Sequence, residues 1–524
     1  MTSIERDDRN RYGHVERPSY NILTYTWGRW RIRDKTQEYQ HALPVKGTKW
    51  KIPAVEKEHF TVAEFQAVLN QMQDTGVDWA WVDVACIDQE NEILNAQEVG
   101  RQASIFRKAF GVISTDTLQK VVNEINEAGP DLASCIPYLP RDGPPYVHLN
   151  RLSAAFDIFF SDPWFSSLWT LQEVILRHDA KVLSSSAEPV RWDQRHLTFL
   201  TMIINACRNI YKDLGIVEKA VRIIERDNGF LNSDQKRALD QIGRMTKHIL
   251  RSGFNFFIGV NPNIQYSVAK YRRTSREEDR IYAIMQIYNL RVGKSARPGD
   301  KPTLPSLITE FALAITTQSP AIGQAFVHTS PPAKGMSWRI TEDSTVPEFL
   351  SIYQNLKPRC SAVHDSSRNN LRVTGKLCPM HLFAPLRSTG NLGGLPIDIN
   401  PPQESSNSNR FQVAADAMDK EIMRSTPLGS FDRDPYGLFS YDKLVEKYGQ
   451  NIWIMYLADA DRGGPKPTFT FTFGLLVYPG VKKSGEWLFG KEPPDCRRVG
   501  VCSFDPELVE LQSASWRQAT IVLE

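Results

Sequence analysis

The sequence predicts a mixed α/β protein, in which an α/β domain with a parallel sheet precedes a mainly helical region and a β-rich C-terminal region. Strand-like and helix-like segments alternate through the first 200 residues, which is typical of a parallel sheet with crossover helices. Helical spacing dominates residues 197–290 and 304–317, and short β-like segments follow from residue 337. We therefore predict three regions, 1–200, 201–330 and 331–524.

Each element of the first region is predicted from a local pattern. Residues 79–86 are apolar except for Asp83, as expected for a strand that is covered on both faces. Helices are predicted where apolar residues recur every three or four positions, and their ends where glycine or proline follows. The predicted strands are Ile22–Thr26, Trp79–Cys86, Val112–Ser114 and Lys181–Leu183, and the predicted helices are Val62–Met72, Asn95–Phe110 closed by Gly111, and Thr117–Ala128 ended by Gly129-Pro130.

The C-terminal region is predicted to be β-rich because its apolar segments are short and partly alternating. Residues 468–473 alternate threonine with phenylalanine, which is typical of a half-buried strand. Residues 385–410 are rich in Gly, Pro, Ser and Asn and are predicted to be a loop insertion. The predicted strands are Leu371–Val373, Ile452–Tyr456, Phe469–Val477, Val499–Phe504 and Ala519–Leu523.

Composition is that of an ordinary globular protein, with 41% hydrophobic and 23% charged residues. The net charge of +3 gives no reason to expect a nucleic-acid partner, and the Tyr271-Arg272-Arg273 cluster beside acidic residues 277–279 is predicted to be a solvated face. Seven cysteines without a C-x-x-C pair argue against a disulfide framework and a zinc site. A charged N-terminus and the lack of a long apolar run predict a cytoplasmic protein without a membrane span.

The most informative stretch is residues 164–174, which are predicted to lie on one helix. Asp162 can cap this helix and Pro163 suits its first turn. Glu173 follows Trp169 by four positions, so the carboxylate and the indole share one helix face. Trp169 either packs as a pocket wall or stacks on a ligand. Glu173 is a hydrogen-bonding residue at the edge of the core, a solvated or ion-paired residue, or a catalytic group.

Three ordered blocks resemble one known family. Residues 20–28 read YNILTYTWG, and residues 164–174 read WFSSLWTLQEV. Between them, a second block runs from WVDVACIDQ at residues 81–89 to IFRKA at residues 105–109. In this order they are similar to the fungal heterokaryon incompatibility (HET) domain. Ordered blocks over such a distance are far more specific than a lone motif.

The chain departs from the family pattern at several positions. Ser167 replaces an arginine that the family usually has, and Thr24 replaces a serine. Glu98 stands where glutamine is expected, and Leu94-Asn95 stands where an acidic residue and an arginine are expected. A missing arginine removes a bidentate partner for a carboxylate or phosphate.

The resemblance implies a flavodoxin-like fold similar to that of Toll/interleukin-1 receptor (TIR) domains. Ligands of such open sheets bind beyond the carboxyl ends of the strands. Enzymatic TIR domains cleave the nicotinamide–ribose bond of NAD with a glutamate in a W-x-x-x-E setting, so the resemblance implies Glu173 as the catalytic residue, NAD as the substrate, and neither a metal nor a cofactor. The implied substrate-binding residues are Tyr25, Trp27, Gly28, Asp83, Cys86, Asp88, Gln89 and Trp169.

Several of these residues could have a structural role instead of binding substrate. Asp83, in an apolar run, needs a hydrogen-bond partner, and Cys86 fits a small buried hydrophobic residue better than a nucleophile, because no histidine is near in sequence. Asp88 and Gln89 could contact a ligand or cap the next turn. Trp27-Gly28 fits a tight turn after the first strand.

The sequence is compatible with three functions. The first is an effector of fungal innate immunity that recognises non-self and triggers programmed cell death by acting as an NAD hydrolase. The second is a non-catalytic, TIR-like signalling and interaction module. The third is an enzyme acting on another nucleotide, with the β-rich region as a sensor. The first two imply an incompatibility or immune-receptor partner protein and self-association.

Overall fold

The computed structural model describes most of the chain. The described residues are 2, 4, 11–16, 18–24, 43–53, 62–74, 76–88, 90–101, 110–114, 118–139, 144–184, 187–255, 261–351, 353–365, 370–386, 411–416, 441–461, 470–479 and 493–523.

The chain divides into two compact units, and the helical middle of the sequence is shared between them. The first unit comprises Met1–Phe257 and Tyr271–Leu307, and the second comprises Ile258–Lys270 and Ile308–Glu524. The fold is mixed α/β with a helical middle and a β-rich C-terminal sheet, as the sequence predicts. The division at residues 200 and 330 stays a prediction.

The strands are numbered in chain order. They are β1 (Arg11–Tyr12), β2 (Val15–Glu16), β3 (Tyr20–Leu23), β4 (Trp79–Trp81), β5 (Phe110–Ser114), β6 (Lys181–Leu183), β7 (Val327–His328), β8 (Ser344–Thr345), β9 (Gln354–Pro358), β10 (Ser361–Asp365), β11 (Asn370–Pro379), β12 (Phe411–Ala415), β13 (Trp453–Asp461), β14 (Thr470–Tyr478), β15 (Asp495–Phe504) and β16 (Arg517–Leu523).

The α-helices are numbered in the same way. They are α1 (Val62–Gln73), α2 (Asp83–Cys86), α3 (Glu92–Val99), α4 (Leu118–Cys135), α5 (Tyr146–Ser161), α6 (Pro163–Ser166), α7 (Leu168–Leu176), α8 (Leu200–Asn228), α9 (Ser233–Ser252), α10 (Asn263–Ala269), α11 (Asp279–Tyr282), α12 (Leu304–Gln318), α13 (Pro320–Gln324), α14 (Tyr441–Tyr448) and α15 (Glu507–Leu511). None of these helices is both long and apolar enough to cross a membrane.

The first unit contains a four-stranded sheet in the order β4-β3-β5-β6, and all three pairings are parallel. Helix α1 places Phe65, Val68 and Met72 in the core that Leu23 of β3 also joins. Since β3 lies inside the sheet, its carboxyl end at Leu23 is flanked by two neighbours. This edge positions Thr24, the next residue.

The predicted strand Trp79–Cys86 is wrong beyond Trp81. The chain turns into α2, because the Val82 carbonyl accepts hydrogen bonds from the amides of Ala85 and Cys86. Val82 and Val84 are nevertheless buried, against α1 and the sheet. A short apolar run of this kind fits a buried strand or a buried helical turn equally well.

Three predicted helix boundaries are also wrong. Helix α3 begins at Glu92, because the Asn91 side chain caps it, and Gly111 lies within β5 instead of closing a helix. Residues 102–109 of the predicted helix lie outside the described residues. Helix α4 runs through Gly129-Pro130 to Cys135. A side chain at Gly129 would meet Ile210 of α8, so the glycine allows these helices to pack closely.

The second unit is organised around an eight-stranded sheet. Its strands follow the order β10-β11-β16-β15-β14-β13-β9, with β12 beside β15, and an additional pairing joins β11 to β13. All pairings are antiparallel except the short contact of β15 with β16. The five predicted C-terminal strands are therefore present, but β14 is more buried than the half-buried strand its alternation predicts. Most of the predicted loop insertion lies outside the described residues.

A fully buried arginine connects separate parts of this second unit. The Arg498 Nε atom donates to the Asp416 carboxylate at 3.0 Å, and its Nη1 donates to the Gln324 side chain at 2.8 Å. The guanidinium also donates to the Phe326 carbonyl and lies over the Phe326 ring, 4.0 Å from its centroid. The charge is therefore neutralised by one carboxylate and hydrogen-bonded by neutral groups.

We expect the Arg498→Met substitution to lower the free energy of unfolding by about 3–5 kcal/mol, because it leaves the Asp416 carboxylate buried and unpaired. Urea unfolding measures this loss. Arg497→Met is the matched control, because Arg497 is exposed on the same strand. Equal losses in the two variants would contradict a specific role for the buried pair.

Candidate functional site

Glu173 lies in the interior of the first unit and not on its surface. Its side chain is 9% exposed and points toward the carboxyl end of β3, where the Thr24 hydroxyl donates a hydrogen bond to its Oε2 atom. The Trp164 indole Nε1 donates to the same hydroxyl oxygen at 3.2 Å. Because the hydroxyl accepts from the indole, its own proton is directed to the carboxylate. Thr24 thus supplies the hydroxyl that serine would supply in the family pattern.

Burial changes the ionisation of this carboxyl group. Loss of hydration raises the pKa of Glu173 from 4.5 to about 8, although the Thr24 hydrogen bond opposes the shift. The Asp83 carboxylate also raises this pKa, and the Arg272 guanidinium lowers it. At neutral pH the group is therefore mainly protonated unless more positive charge comes near it.

The predicted single helix is broken at Ser167, whose backbone is extended with φ −81° and ψ 135°. Asp162 caps the first piece, α6, by accepting from the Trp164 amide at 2.8 Å, which confirms the predicted start. The second piece, α7, carries both Trp169 and Glu173, and its Leu168 and Leu171 are fully buried. The break allows α7 to take its own direction.

A segment far away in sequence holds this break. Arg273 exchanges main-chain hydrogen bonds with both sides of the break, because its amide donates to the Ser166 carbonyl at 2.7 Å and its carbonyl accepts from the Leu168 amide at 3.0 Å. The Arg272 guanidinium donates to the Ser167 carbonyl at 3.0 Å and to the Thr170 hydroxyl at 3.1 Å. The solvated face predicted for this cluster is wrong for Arg272, which is 1% exposed.

Trp169 is fixed by the same distant segment. Its indole Nε1 donates to the Asp279 carboxylate at 3.3 Å, and Thr274 donates to that carboxylate at 3.0 Å. Burial raises the pKa of Asp279. Sequence reasoning missed Arg272 and Asp279 as site residues, because both lie about 100 positions beyond the motif that they contact.

The residues of the second motif take mainly structural positions. Asp83 begins α2 and accepts from the Val84 amide at 2.7 Å, while acting electrostatically on Glu173. Burial raises the pKa of Cys86 to about 12, which keeps the thiol protonated and unreactive at neutral pH. Asp88 accepts from the amides of Glu90 and Asn91 at 2.9 and 3.1 Å, so it caps the turn before α3.

Four candidate binding residues, Tyr25, Trp27, Gly28 and Gln89, lie outside the described residues. A cavity of about 560 Å³ lies at the start of α3 and is lined by residues 90–93, Ala96, Lys294 and residues 299–301. Glu173 does not line this cavity. Within the described ranges, no three His, Cys, Asp or Glu side chains are placed to hold a metal ion.

The raised pKa of Glu173 predicts how stability depends on pH. Between pH 4.5, where the unfolded carboxyl ionises, and about pH 8, the folded protein holds a proton that the unfolded chain has lost. Stability therefore falls as pH rises through this window, with a slope of up to about 1.4 kcal/mol per pH unit. We expect Glu173→Gln to remove this slope in urea unfolding measured from pH 5 to 9.

The exposed Glu188, replaced by Gln, is the matched control and should keep the wild-type slope. Parallel pH profiles for wild type and Glu173→Gln would mean that Glu173 titrates at an ordinary pKa.

Comparisons with known proteins agree with the motif blocks. No curated protein and no solved structure matches this chain. A protein-family model does match, namely that of the heterokaryon incompatibility protein (HET), and it covers residues 20–173. The match begins with β3 and ends at Glu173 itself, so it spans both partners of the Thr24–Glu173 hydrogen bond. The chain therefore carries a heterokaryon incompatibility domain in residues 20–173.

Proposed function

We propose that this protein is an effector of heterokaryon incompatibility that triggers cell death by cleaving the nicotinamide–ribose bond of NAD, with Glu173 as the catalytic residue. The observation that carries the proposal is the buried carboxyl group of Glu173, held by the Thr24 hydroxyl at the carboxyl end of a parallel strand. Open parallel sheets bind their ligands at this edge. The proposal includes a TIR-like architecture for the HET domain and action in the cytoplasm.

Cleavage of the nicotinamide–ribose bond requires little from the protein beyond one well-placed carboxylate. Departure of nicotinamide leaves positive charge on the ribosyl group, as in other glycoside cleavages. A carboxylate in a dry site stabilises that charge, and a single preorganised group of this kind contributes about 3–4 kcal/mol. Nicotinamide leaves as a neutral molecule from a cationic substrate, so its departure needs no general acid.

The substrate itself can ionise Glu173. With its pKa at about 8, the buried carboxyl is mostly neutral at pH 7. The positive charge of the nicotinamide ring favours the carboxylate form, because opposite charges within about 4–6 Å lower a carboxyl pKa. Charge on Glu173 would then develop with the substrate in place, where it is useful.

A non-catalytic interaction module is the second candidate, and one observation favours it. The cavity described above lies at α3, away from Glu173, and Ile93 and Leu94 of that helix are about half exposed, at 50% and 48%. Exposed apolar residues beside a cavity are typical of protein contacts. In this function the HET domain would bind an incompatibility partner or a second copy of itself, and Glu173 would be structural.

We expect full-length Glu173→Gln to lose NAD cleavage by about 10²–10³-fold in kcat, because the amide cannot carry the stabilising negative charge. Nicotinamide release from NAD, measured by chromatography, checks this, and Glu188→Gln is the surface control. Unchanged turnover in Glu173→Gln would remove Glu173 from the mechanism. A folded wild type without turnover, whose expression in a fungal host still causes cell death, would establish the interaction module instead.

The Thr24 hydroxyl gives a sharper test of the same site. We expect Thr24→Val, which keeps the shape but loses the donor, to lower kcat by about 10–100-fold, as for the loss of a hydrogen bond to a charged group. Thr24→Ser keeps the hydroxyl and should retain most of the activity. Equal activity in the Val and Ser variants would contradict an orienting role for this hydroxyl.

A further inference from the structure

We propose that Arg272 is a positioning residue for Glu173, which holds the break between α6 and α7 and supplies the buried positive charge against which Glu173 ionises. This inference rests on the proposed function, since it concerns the same carboxylate. It places part of the site in a segment well beyond the HET match, which ends at residue 173.

The hydrogen bonds of Arg272 place it where it can position Glu173. The guanidinium of Arg272 reaches both pieces of the broken helix, because it donates to the Trp164 carbonyl at 3.4 Å, to the Ser167 carbonyl and to the Thr170 hydroxyl. Its other terminal nitrogen donates to the Ser252 carbonyl at 3.3 Å, at the end of α9. One planar cation therefore fixes the start of α7 relative to α6 and α9. Glu173 lies one turn further along α7.

The charge of Arg272 is not balanced by any group that it contacts directly. All the direct acceptors of Arg272 are neutral oxygens, and in the described part of the chain no carboxylate lies within ion-pair distance of it. Glu173 is the carboxylate that interacts with it electrostatically. Its Nε atom is buried and has no hydrogen-bond partner among the described residues. A buried cation without a direct counter-ion is costly, so its presence here indicates a role that a neutral residue could not fill.

Arg272 and Glu173 each change the pKa of the other. Loss of hydration lowers the pKa of Arg272 to about 9 and raises that of Glu173 to about 8, and each charge opposes the shift of the other. Ionisation of Glu173 thus turns an isolated buried cation into a compensated pair. Asp83 of α2 acts in the opposite direction, because its negative charge disfavours ionised Glu173. Thr24 faces the same carboxyl group as a neutral hydrogen-bond donor.

Arg272 also brings a guanidinium to the place where this chain lacks the arginine of the family pattern. Ser167 stands where the family pattern has an arginine, and the guanidinium of Arg272 contacts the main chain of that same residue from 105 positions away. Thr274 and Asp279 continue the contact to Trp169. Residues 272–279 therefore hold the helix break that precedes Glu173 and the aromatic residue of the W-x-x-x-E motif.

The pKa of Glu173 can be measured in full-length variants of Arg272. The free energy of unfolding is measured from pH 5 to 10 for each protein and for the same protein carrying Glu173→Gln, and the difference reports the ionisation of Glu173 alone. In Arg272→Gln, which is neutral and still donates hydrogen bonds, we expect the end of the pH-dependent decline to move up by about one pH unit. Arg272→Lys keeps the charge and should stay close to wild type.

Arg273→Gln is the matched control, because Arg273 is exposed and contacts the helix break through its main chain. It should leave the titration unchanged. Activity adds a second readout: the pH at which kcat rises should move up in Arg272→Gln, and Arg272→Lys should lower kcat by about tenfold with little change in KM, because lysine cannot reproduce the planar set of donors.

The same titration of Glu173 in wild type, Arg272→Gln and Arg272→Lys would overturn the proposal and leave Arg272 with a structural role only. A wild type that does not cleave NAD, but whose Glu173 titration moves in Arg272→Gln, would overturn the proposed function and keep the positioning role. If Arg272→Gln does not fold, a Glu173 titration in Arg272→Lys that is shifted upward by a full unit would equally contradict the charge argument.

Discussion

The arrangement of the HET domain depends on one constraint, which is that a carboxyl group is held almost out of contact with water. A buried carboxyl that lacks partners stays protonated, and one that must ionise needs donors and positive charge fixed around it. Glu173 has one hydroxyl donor from Thr24 and one distant cation, Arg272. These two groups come from opposite ends of the first unit's sequence, so the fold has to bring them together.

Three parts of the chain meet this constraint, and each does so through main-chain geometry. The parallel sheet ends β3 just before Thr24, and the break at Ser167 starts α7 in a new direction. The segment at Arg273 then fixes the break with two main-chain hydrogen bonds. Since such bonds need no particular side chain, the family pattern can vary at residue 167 while the direction of Glu173 is kept.

The sequence predicted the local parts of this site and missed the distant ones. The spacing of Trp169 and Glu173 and the cap at Asp162 follow from rules that act within one helical turn, and the structure has all three on α6 and α7. The break at Ser167 and the burial of Arg272 depend on contacts across 105 residues, which no local pattern contains. Arg272 resembled a surface residue because its sequence neighbours are charged, yet burial is decided by tertiary packing.

Among the residues that the structure describes, two arginines, Arg272 and Arg498, are at most 1% exposed, and the contrast between their surroundings bears on function. Arg498 has a carboxylate at 3.0 Å and an aromatic ring beneath it, so its charge is balanced within the folded second unit. Arg272 has neutral acceptors only, and its electrostatic partner Glu173 is mostly protonated at neutral pH. Stability alone favours the first arrangement, because an unbalanced buried charge weakens a fold. The second arrangement is advantageous only if Glu173 loses its proton during function, which a cationic substrate would bring about.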